Sequence, residues 1–155
     1  AEIIADFKPS VPEYCRIQRV QRDIPTYMTS AGVDRTNLRQ YIDQVLERKG
    51  IKCRCIRCRE VGQAGEIDLN PQLILRKYEA SKGEEFFISF EDKDVIIGYC
   101  RLRFPSQLLR EEITAKSALI RELHVYGQAV GIGQKDENAF QHKGLGKQLM
   151  AEAEG

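Results

Sequence analysis

Apolar residues recur with the period of an amphipathic α-helix between residues 38 and 46. They stand at Leu38, Tyr41, Ile42, Val45 and Leu46, which are the i, i+3, i+4, i+7 and i+8 positions of one helical face. Asp34 or Thr36 is expected to cap the start of this helix, and Gly50 stands where a left-handed residue commonly ends one. The pattern predicts a helix that buries one stripe of side chains.

A shorter, strand-like period and turn signals dominate residues 72–126. Strands are predicted over residues 72–80, 85–90, 95–104 and 118–126. Asp92, Lys93 and Asp94 have the composition of a hairpin turn. The polar run at 105–116 is expected to form loops or a short helix.

The rest of the chain has turn signals and one further helical period. Residues 1–30 contain three prolines and are expected to be irregular, and residues 51–71 are rich in turns. A second amphipathic helix is predicted over residues 144–154, after a polar loop that contains glycine. Its buried side is expected to consist of Leu145, Leu149 and Met150. Strands followed by a helix indicate the mixed α/β (α+β) class.

Composition and charge restrict the function classes. The chain has 155 residues, which favours one domain or one domain with an attached segment. Its formal net charge is +1, so any binding to a polyanion must depend on a local patch. No apolar run approaches the length of a membrane span, and the first residues lack the features of a secretory signal. A cytoplasmic protein that does not contact membranes is therefore expected.

Three of the five cysteines crowd together as Cys53, Cys55 and Cys58. A reducing compartment disfavours disulfides, so thiolates at this spacing favour a metal site, and zinc is the candidate ion. A structural zinc ion requires four ligands. Cys15 is the better candidate for the fourth ligand within the chain, and His142 is a poorer one. The alternatives are a loop with three reduced cysteines and, less favoured, an iron–sulfur site.

The segment Gln-His-Lys-Gly-Leu-Gly-Lys at residues 141–147 opens the second predicted helix. Glycines at positions 144 and 146 let the backbone approach a ligand closely, and the free N–H groups of a helix start favour an anion. The arrangement suits a pyrophosphate, and the alternative is a tight turn before a helix. The pattern Q/R-x-x-G-x-G/A resembles the acetyl-CoA motif of the GCN5-related N-acetyltransferases (GNAT).

Further segments sharpen this resemblance. Residues 16–25, 59–62, 121–127 and 140–146 together resemble, in this order, the family of Elongator catalytic subunits in its prokaryotic form. The resemblance implies a tRNA-modifying enzyme in which a radical S-adenosylmethionine domain precedes an acetyltransferase domain. The implied cofactors are acetyl-CoA and zinc in this chain, with S-adenosylmethionine and a [4Fe-4S] cluster in the missing domain.

The resemblance also implies a domain layout. Residues 1–30 would form the end of the radical domain, and residues 31–62 a helical, zinc-binding linker. Residues 63–155 would form the first part of the acetyltransferase domain, a GNAT-like mixed β-sheet with flanking helices. The fourth zinc ligand could then also come from the missing radical domain.

By resemblance, the acetyl-CoA site combines one strand with the glycine-containing loop. The implied residues are Glu122, Leu123, His124, Val125, Gln141, His142, Lys143, Gly144, Leu145, Gly146 and Lys147. Glu122 and His124 lie two apart on a predicted strand and so face one side, which makes them candidate catalytic residues. The alternative is that Glu122 pairs with an arginine, such as Arg121 or Arg103, and that His124 is a satisfied strand residue.

Basic residues concentrate in the first third of the chain. The candidate tRNA-binding residues are Arg16, Arg19, Arg22, Lys52 and Arg54. Nearby tyrosines could stack on bases, and the alternative is a solvated face balanced by acidic residues. The family's action on the anticodon region of tRNA favours binding.

The resulting interpretation is a piece of a tRNA uridine acetyltransferase of Elongator type, expected to be inactive alone. The implied reaction uses acetyl-CoA and radical chemistry to begin a carboxymethyl modification at carbon 5 of the wobble uridine. Candidate partners are tRNA and either a second copy of the chain or other Elongator subunits. The rival interpretations are a protein lysine acetyltransferase and a non-enzymatic zinc-containing RNA-binding module.

Overall fold

The chain divides into two compact units, Ala1–Cys58 and Arg59–Gly155. The computed structural model describes residues 1–21, 25–28, 30–32, 37–63, 70–126 and 144–155. Within these residues, no helix has both the length and the apolar character that crossing a membrane requires.

The first unit is built from helices. Its elements are α1 at Glu2–Phe7, a 3-10 turn at Lys8–Ser10, a second 3-10 turn at Thr26–Met28, α2 at Leu38–Lys49, and the start of α3 at Ile56–Arg59. The prediction of an irregular N-terminal segment is therefore wrong for α1, which is six residues long and too short to display a helical period.

Helix α2 buries its predicted apolar stripe. Leu38, Ile42, Val45 and Leu46 are all buried. Gly50 ends the helix in the left-handed conformation with φ 64°, as predicted. The N-cap is Asn37, so the prediction that Asp34 or Thr36 caps the helix is wrong, and both residues lie outside the described part of the chain.

The second unit contains a four-stranded antiparallel sheet in the order β1-β2-β3-β4. The strands are β1 at Gln72–Ala80, β2 at Gly83–Asp92, β3 at Val95–Phe104 and β4 at Leu119–Val125, and a 3-10 turn at Val61–Gln63 precedes them. Two-residue turns, Ser81-Lys82 and Lys93-Asp94, join the first three strands, and all four turn residues have positive φ. The predicted strands are thus confirmed, and the turn predicted at residues 92–94 is confirmed at Lys93-Asp94, whereas Asp92 belongs to β2.

Helix α4 at Leu145–Glu154 packs on one face of the sheet. Leu145 and Leu149 join the side chains of Ile88, Phe90 and Cys100 in a buried cluster. Met150, predicted to be buried, is only half-buried. The helices of the first unit and the helix-covered sheet of the second confirm the α+β class, and the packing of α4 places its start beside the sheet.

Candidate functional site

The N-terminus of α4 offers free backbone donors. Gly144 is its N-cap, with φ 72°, and the backbone N–H of Gln148 donates to the Gly144 carbonyl oxygen at 3.1 Å. The N–H groups of the three residues between them precede this first bond, so they have no acceptor within the helix. The first turn contains no acidic residue. The described part of this turn is therefore suited to an anion.

The two glycines of this turn have different surroundings. A Cβ at Gly144 would meet no atom of the described residues within 4 Å, so these residues leave the space beside its backbone open. A Cβ at Gly146 would lie 3.7 Å from Cγ2 of Val125, in ordinary contact with the end of β4. The helix start therefore lies against the last residue of β4 on one side and leaves room for a ligand at Gly144.

Strand β4 is an edge strand among the strands that the structure describes. It pairs with β3 alone, with Cys100 opposite Leu123 and Gly98 opposite Val125. An edge strand presents unpaired backbone donors and acceptors to an extended partner. Gly144, Leu145, Gly146 and Lys147 are thus brought close to the end of β4, whereas Gln141, His142 and Lys143 lie outside the described residues.

Glu122 and His124 share the sheet face opposite α4, as their spacing predicts. The Glu122 carboxylate accepts hydrogen bonds from the Tyr99 hydroxyl and from Arg101 Nε, the latter at 3.0 Å. Burial alone would raise the pKa of Glu122, but these donors outweigh burial and hold the pKa below its ordinary value. Glu122 is therefore an ionised, hydrogen-bonded group and a weak base.

The partner of Glu122 differs from the predicted partners. Arg103 and Arg121 instead donate to the buried carboxylate of Glu85, Arg103 at 2.8 Å. The Tyr78 hydroxyl also donates to Glu85, at 2.7 Å, and burial together with this bond raises the pKa of Tyr78 to about 12. Glu85 therefore takes both arginines that were expected at Glu122.

Aromatic rings surround His124. Its ring lies 4.4 Å from the Tyr126 ring in an edge-on arrangement and 6.1 Å from the Tyr99 ring, measured between centroids. Arg101, which binds Glu122, also stacks on Phe87 and Tyr99. Sequence reasoning missed Phe87, Tyr99 and Arg101 because they lie on other strands, and the alternation of Tyr99 and Arg101 along β3 was the available signal for those two.

The three clustered cysteines form a candidate metal site in the first unit. The sulfur atoms of Cys53, Cys55 and Cys58 all lie within 4.8 Å of one another, and those of Cys55 and Cys58 are 3.6 Å apart. Zinc–sulfur bonds of about 2.3 Å in a tetrahedron place sulfurs about 3.8 Å apart. The donor set therefore fits a thiolate-bound zinc ion. Among the described residues, the cluster consists of these three.

Cys15 contributes its backbone to this region. Its carbonyl oxygen accepts a hydrogen bond from the Ile56 N–H at 2.9 Å. Hydrogen bonds with Cys53 and Cys58, and a further one with the Ile17 backbone, lower the pKa of the Cys55 thiol. The Cys15 sulfur is not part of the three-sulfur cluster that the described residues form, and His142 lies outside them.

These backbone bonds also bring two groups of basic residues together. The backbones of Cys15 and Ile17 hydrogen-bond to Ile56 and Cys55. Arg16 lies between the first two residues in sequence, and Arg54 directly precedes Cys55. Arg54 forms an ion pair with Glu13, and Arg19 and Lys52 are exposed. The residues at 15–19 and 52–54 therefore lie on neighbouring chain segments. Arg22 is outside the described residues.

The chain is similar to curated relatives over nearly its whole length. It is 46% identical to a tRNA uridine(34) acetyltransferase of Dehalococcoides mccartyi, covering 98% of this chain and 34% of the relative. It is 44% identical to Elongator complex protein 3 of Dictyostelium discoideum, covering 99% of this chain and 29% of the relative. The chain thus spans about a third of the length of the curated relatives it matches. No protein-family model matches it.

A solved structure shares the fold. It is described as the archaeal Methanocaldococcus infernus Elp3 with a deletion of the N-terminal residues 1–46. The TM-score is 0.86 at 41% sequence identity, and the match covers 98% of this chain and 38% of that chain. Sequence and fold therefore point to the same group of proteins.

Proposed function

We propose that this chain, which belongs to the family of tRNA uridine(34) acetyltransferases and Elongator complex protein 3, carries the acetyl-CoA site of such an enzyme. In the same proposal, the chain supplies a zinc-braced junction and part of a tRNA-binding surface. The observation that carries the proposal is the open N-terminal turn of α4 beside the edge strand β4.

Each part of the acetyl-CoA site has a role in this proposal. The N–H groups of Leu145, Gly146 and Lys147 bind the pyrophosphate, and the Lys147 side chain adds positive charge. The pantetheine arm pairs with the exposed backbone edge of β4 at residues 122–125. Gln141, His142 and Lys143 complete the loop around the phosphates.

The reaction that we infer begins with acetyl-CoA and leads to a carboxymethyl group at carbon 5 of the wobble uridine. Acetyl-CoA supplies the two-carbon unit, and S-adenosylmethionine with a [4Fe-4S] cluster belongs to another part of the protein. Glu122 and His124 are our candidate catalytic residues. Arg101 and Tyr99 hold Glu122 ionised. We therefore propose that Glu122 orients neighbouring groups on the sheet face opposite α4.

A zinc ion bound by Cys53, Cys55 and Cys58 would stabilise the first unit, because it would link the segment before α3 to Cys58 within α3. The fourth ligand is then a further group. Within the first unit, Cys15 is our candidate for the fourth zinc ligand. If a Cys15→Ser variant still binds a full complement of zinc, Cys15 is not that ligand. Arg16, Arg19, Arg22, Lys52 and Arg54 form the proposed surface for the anticodon region of tRNA. A second copy of the chain or other Elongator subunits are the further proposed partners.

Calorimetric titration of acetyl-CoA into the purified chain tests the cofactor site. Gly144→Glu should weaken binding by at least about tenfold, because it places bulk and negative charge against the pyrophosphate. Gly50→Glu is the matched control, since Gly50 also has positive φ and open space around its Cβ position. Equal affinity in the folded Gly144→Glu variant and in the control would overturn the assignment.

Titration of anticodon-stem RNA separates the rival functions. We expect binding of both acetyl-CoA and RNA, and charge reversal at Arg16 and Arg19 should reduce the salt dependence of RNA binding by roughly one unit of slope per lost phosphate contact. A protein lysine acetyltransferase would bind acetyl-CoA without an RNA effect. A zinc-containing RNA-binding module would bind RNA without acetyl-CoA.

A further inference from the structure

Lys8 is fully buried, although lysine almost never is. It lies in the 3-10 turn that follows α1, and its side chain is 0% exposed. An ammonium group removed from water destabilises a fold unless charged or hydrogen-bonding partners compensate it. The buried Lys8 ammonium therefore needs an anionic group close to it.

Asp43 alone is a weak partner for this charge. Its Oδ1 atom lies 3.3 Å from Lys8 Nζ, but its side chain is 54% exposed. Water therefore screens the carboxylate and competes for it, as in surface ion pairs that contribute little. A second acceptor is needed for the buried ammonium.

The cysteine cluster supplies that acceptor. Lys8 Nζ donates to Cys58 Sγ at 3.8 Å. Three thiolates around one divalent ion sum to a single negative charge, which a metal site in a protein interior must also have compensated. The buried ammonium and the negatively charged thiolate cluster thus compensate each other's charge. The sulfur that Lys8 contacts, that of Cys58, is one of the proposed zinc ligands.

We propose that Lys8 is a positioning residue of the metal centre, whose ammonium holds the Cys58 sulfur and offsets the surplus negative charge of the three-thiolate site. This inference rests on the proposed zinc site. Groups that hydrogen-bond metal ligands commonly change metal affinity by 10- to 100-fold when removed. The competing explanation is that Lys8 only joins α1 to α2 through Asp43.

Lys8→Met is the decisive variant, because methionine has similar length and no charge. Zinc affinity is measured by competition with a chromophoric chelator, and thermal unfolding is recorded with and without zinc. We expect zinc binding to weaken about 10- to 100-fold and the zinc-induced rise in Tm to shrink. The metal-free variant should be at least as stable as its metal-free parent, since an uncompensated buried charge has been removed.

Two control variants separate charge at the metal from general stability. Asp43→Asn removes the other partner and should leave zinc affinity within about threefold of the parent. Lys49→Met removes a cation of the same unit that pairs with Glu2 and Asp6, and it should behave like the parent. If Lys8→Met does not fold, Lys8→Gln, which keeps a donor without the charge, provides the same measurement.

The outcomes distinguish this inference from the proposal beneath it. Unchanged zinc affinity in Lys8→Met, with metal-free stability lowered as much as in Asp43→Asn, would show that Lys8 only joins the helices. If the parent and Lys8→Met bind zinc equally well, the proposed role of Lys8 is overturned and the zinc site is not. A parent that binds no zinc overturns both the zinc site and this inference.

Discussion

The two units of the chain have cores of different kinds. The core of the second unit consists of sheet residues such as Ile88, Phe90 and Ile97, covered by Leu145 and Leu149 of α4. Among the described residues of the first unit, two of the eight buried residues in the core cluster are Cys53 and Cys55, and the buried Lys8 contacts the neighbouring Cys58. The comparison indicates that the second unit is stabilised by its own packing and ion pairs, whereas the stability of the first unit depends on what its thiols bind.

Removing the metal should produce the largest difference between the units. Cys55→Ser, or a strong chelator added to the parent, should destabilise the first unit by several kcal/mol, because metal binding is coupled to folding. Hydrogen exchange followed by mass spectrometry should show loss of protection in α2 and none in β2 or β3.

Cys100→Ser is the matched control for this experiment, since Cys100 is buried in the sheet and is not in the cluster. It should loosen the second unit and leave the zinc content measured by elemental analysis unchanged. Equal loss of protection in both units of Cys55→Ser would contradict the comparison.

A cavity in the second unit should have the next largest effect. Leu149 is fully buried under the sheet, so Leu149→Ala should lower the free energy of unfolding by about 2–5 kcal/mol. Urea denaturation measures this change. Leu109→Ala, at a side chain that is 80% exposed, should change stability by less than about 0.5 kcal/mol. Loss of bound zinc in Leu149→Ala would show that the two units are not independent.

Acid should have a smaller, graded effect through the ion pairs of the sheet. Burial would raise the pKa of Glu91, but hydrogen bonds and charges from Arg76, Ser89 and Arg59 lower it below its ordinary value. A carboxyl whose folded-state pKa is depressed stabilises the fold above its unfolded-state pKa, and this contribution is lost as pH falls through the folded-state value.

The urea midpoint of the second unit should therefore decline as the pH is lowered from about 5 to about 3. Glu91→Gln should be less stable at neutral pH and should show a flatter acid profile. Identical profiles for the variant and the parent would mean that Glu91 contributes nothing to the acid sensitivity.

The sequence predicted the elements whose signal is local. The apolar stripe of α2, the left-handed Gly50 and the strands β1 and β3 follow from spacing within a few residues. Partners that depend on strand register could not be predicted, because a shift of one residue exchanges the faces of a strand. Glu122 pairs with an arginine, as the alternative interpretation expected, but that arginine is Arg101 and neither of the two named examples.

The candidate sites show the same limit. The turn at Gly144 and the cysteine cluster follow from short motifs; in the structure Gly144 is the N-cap of α4, and the three sulfurs lie within 4.8 Å of one another. The buried Lys8 could not be foreseen, since it reaches Cys58 across fifty positions of the chain. The sequence predicts a role for the Cys15 thiol as a zinc ligand, and in the structure the Cys15 carbonyl oxygen accepts a hydrogen bond from the Ile56 N–H.

The two tight turns of the sheet also determine the order in which it can form. Because Ser81-Lys82 and Lys93-Asp94 join β1, β2 and β3, these strands pair at almost no loop-closure cost. Strand β4 must first close the much longer connection at 105–118, so its contacts are the less local ones. We therefore expect the meander of the first three strands to form before β4 joins it, so that the strand bordering the proposed cofactor site is the last to pair.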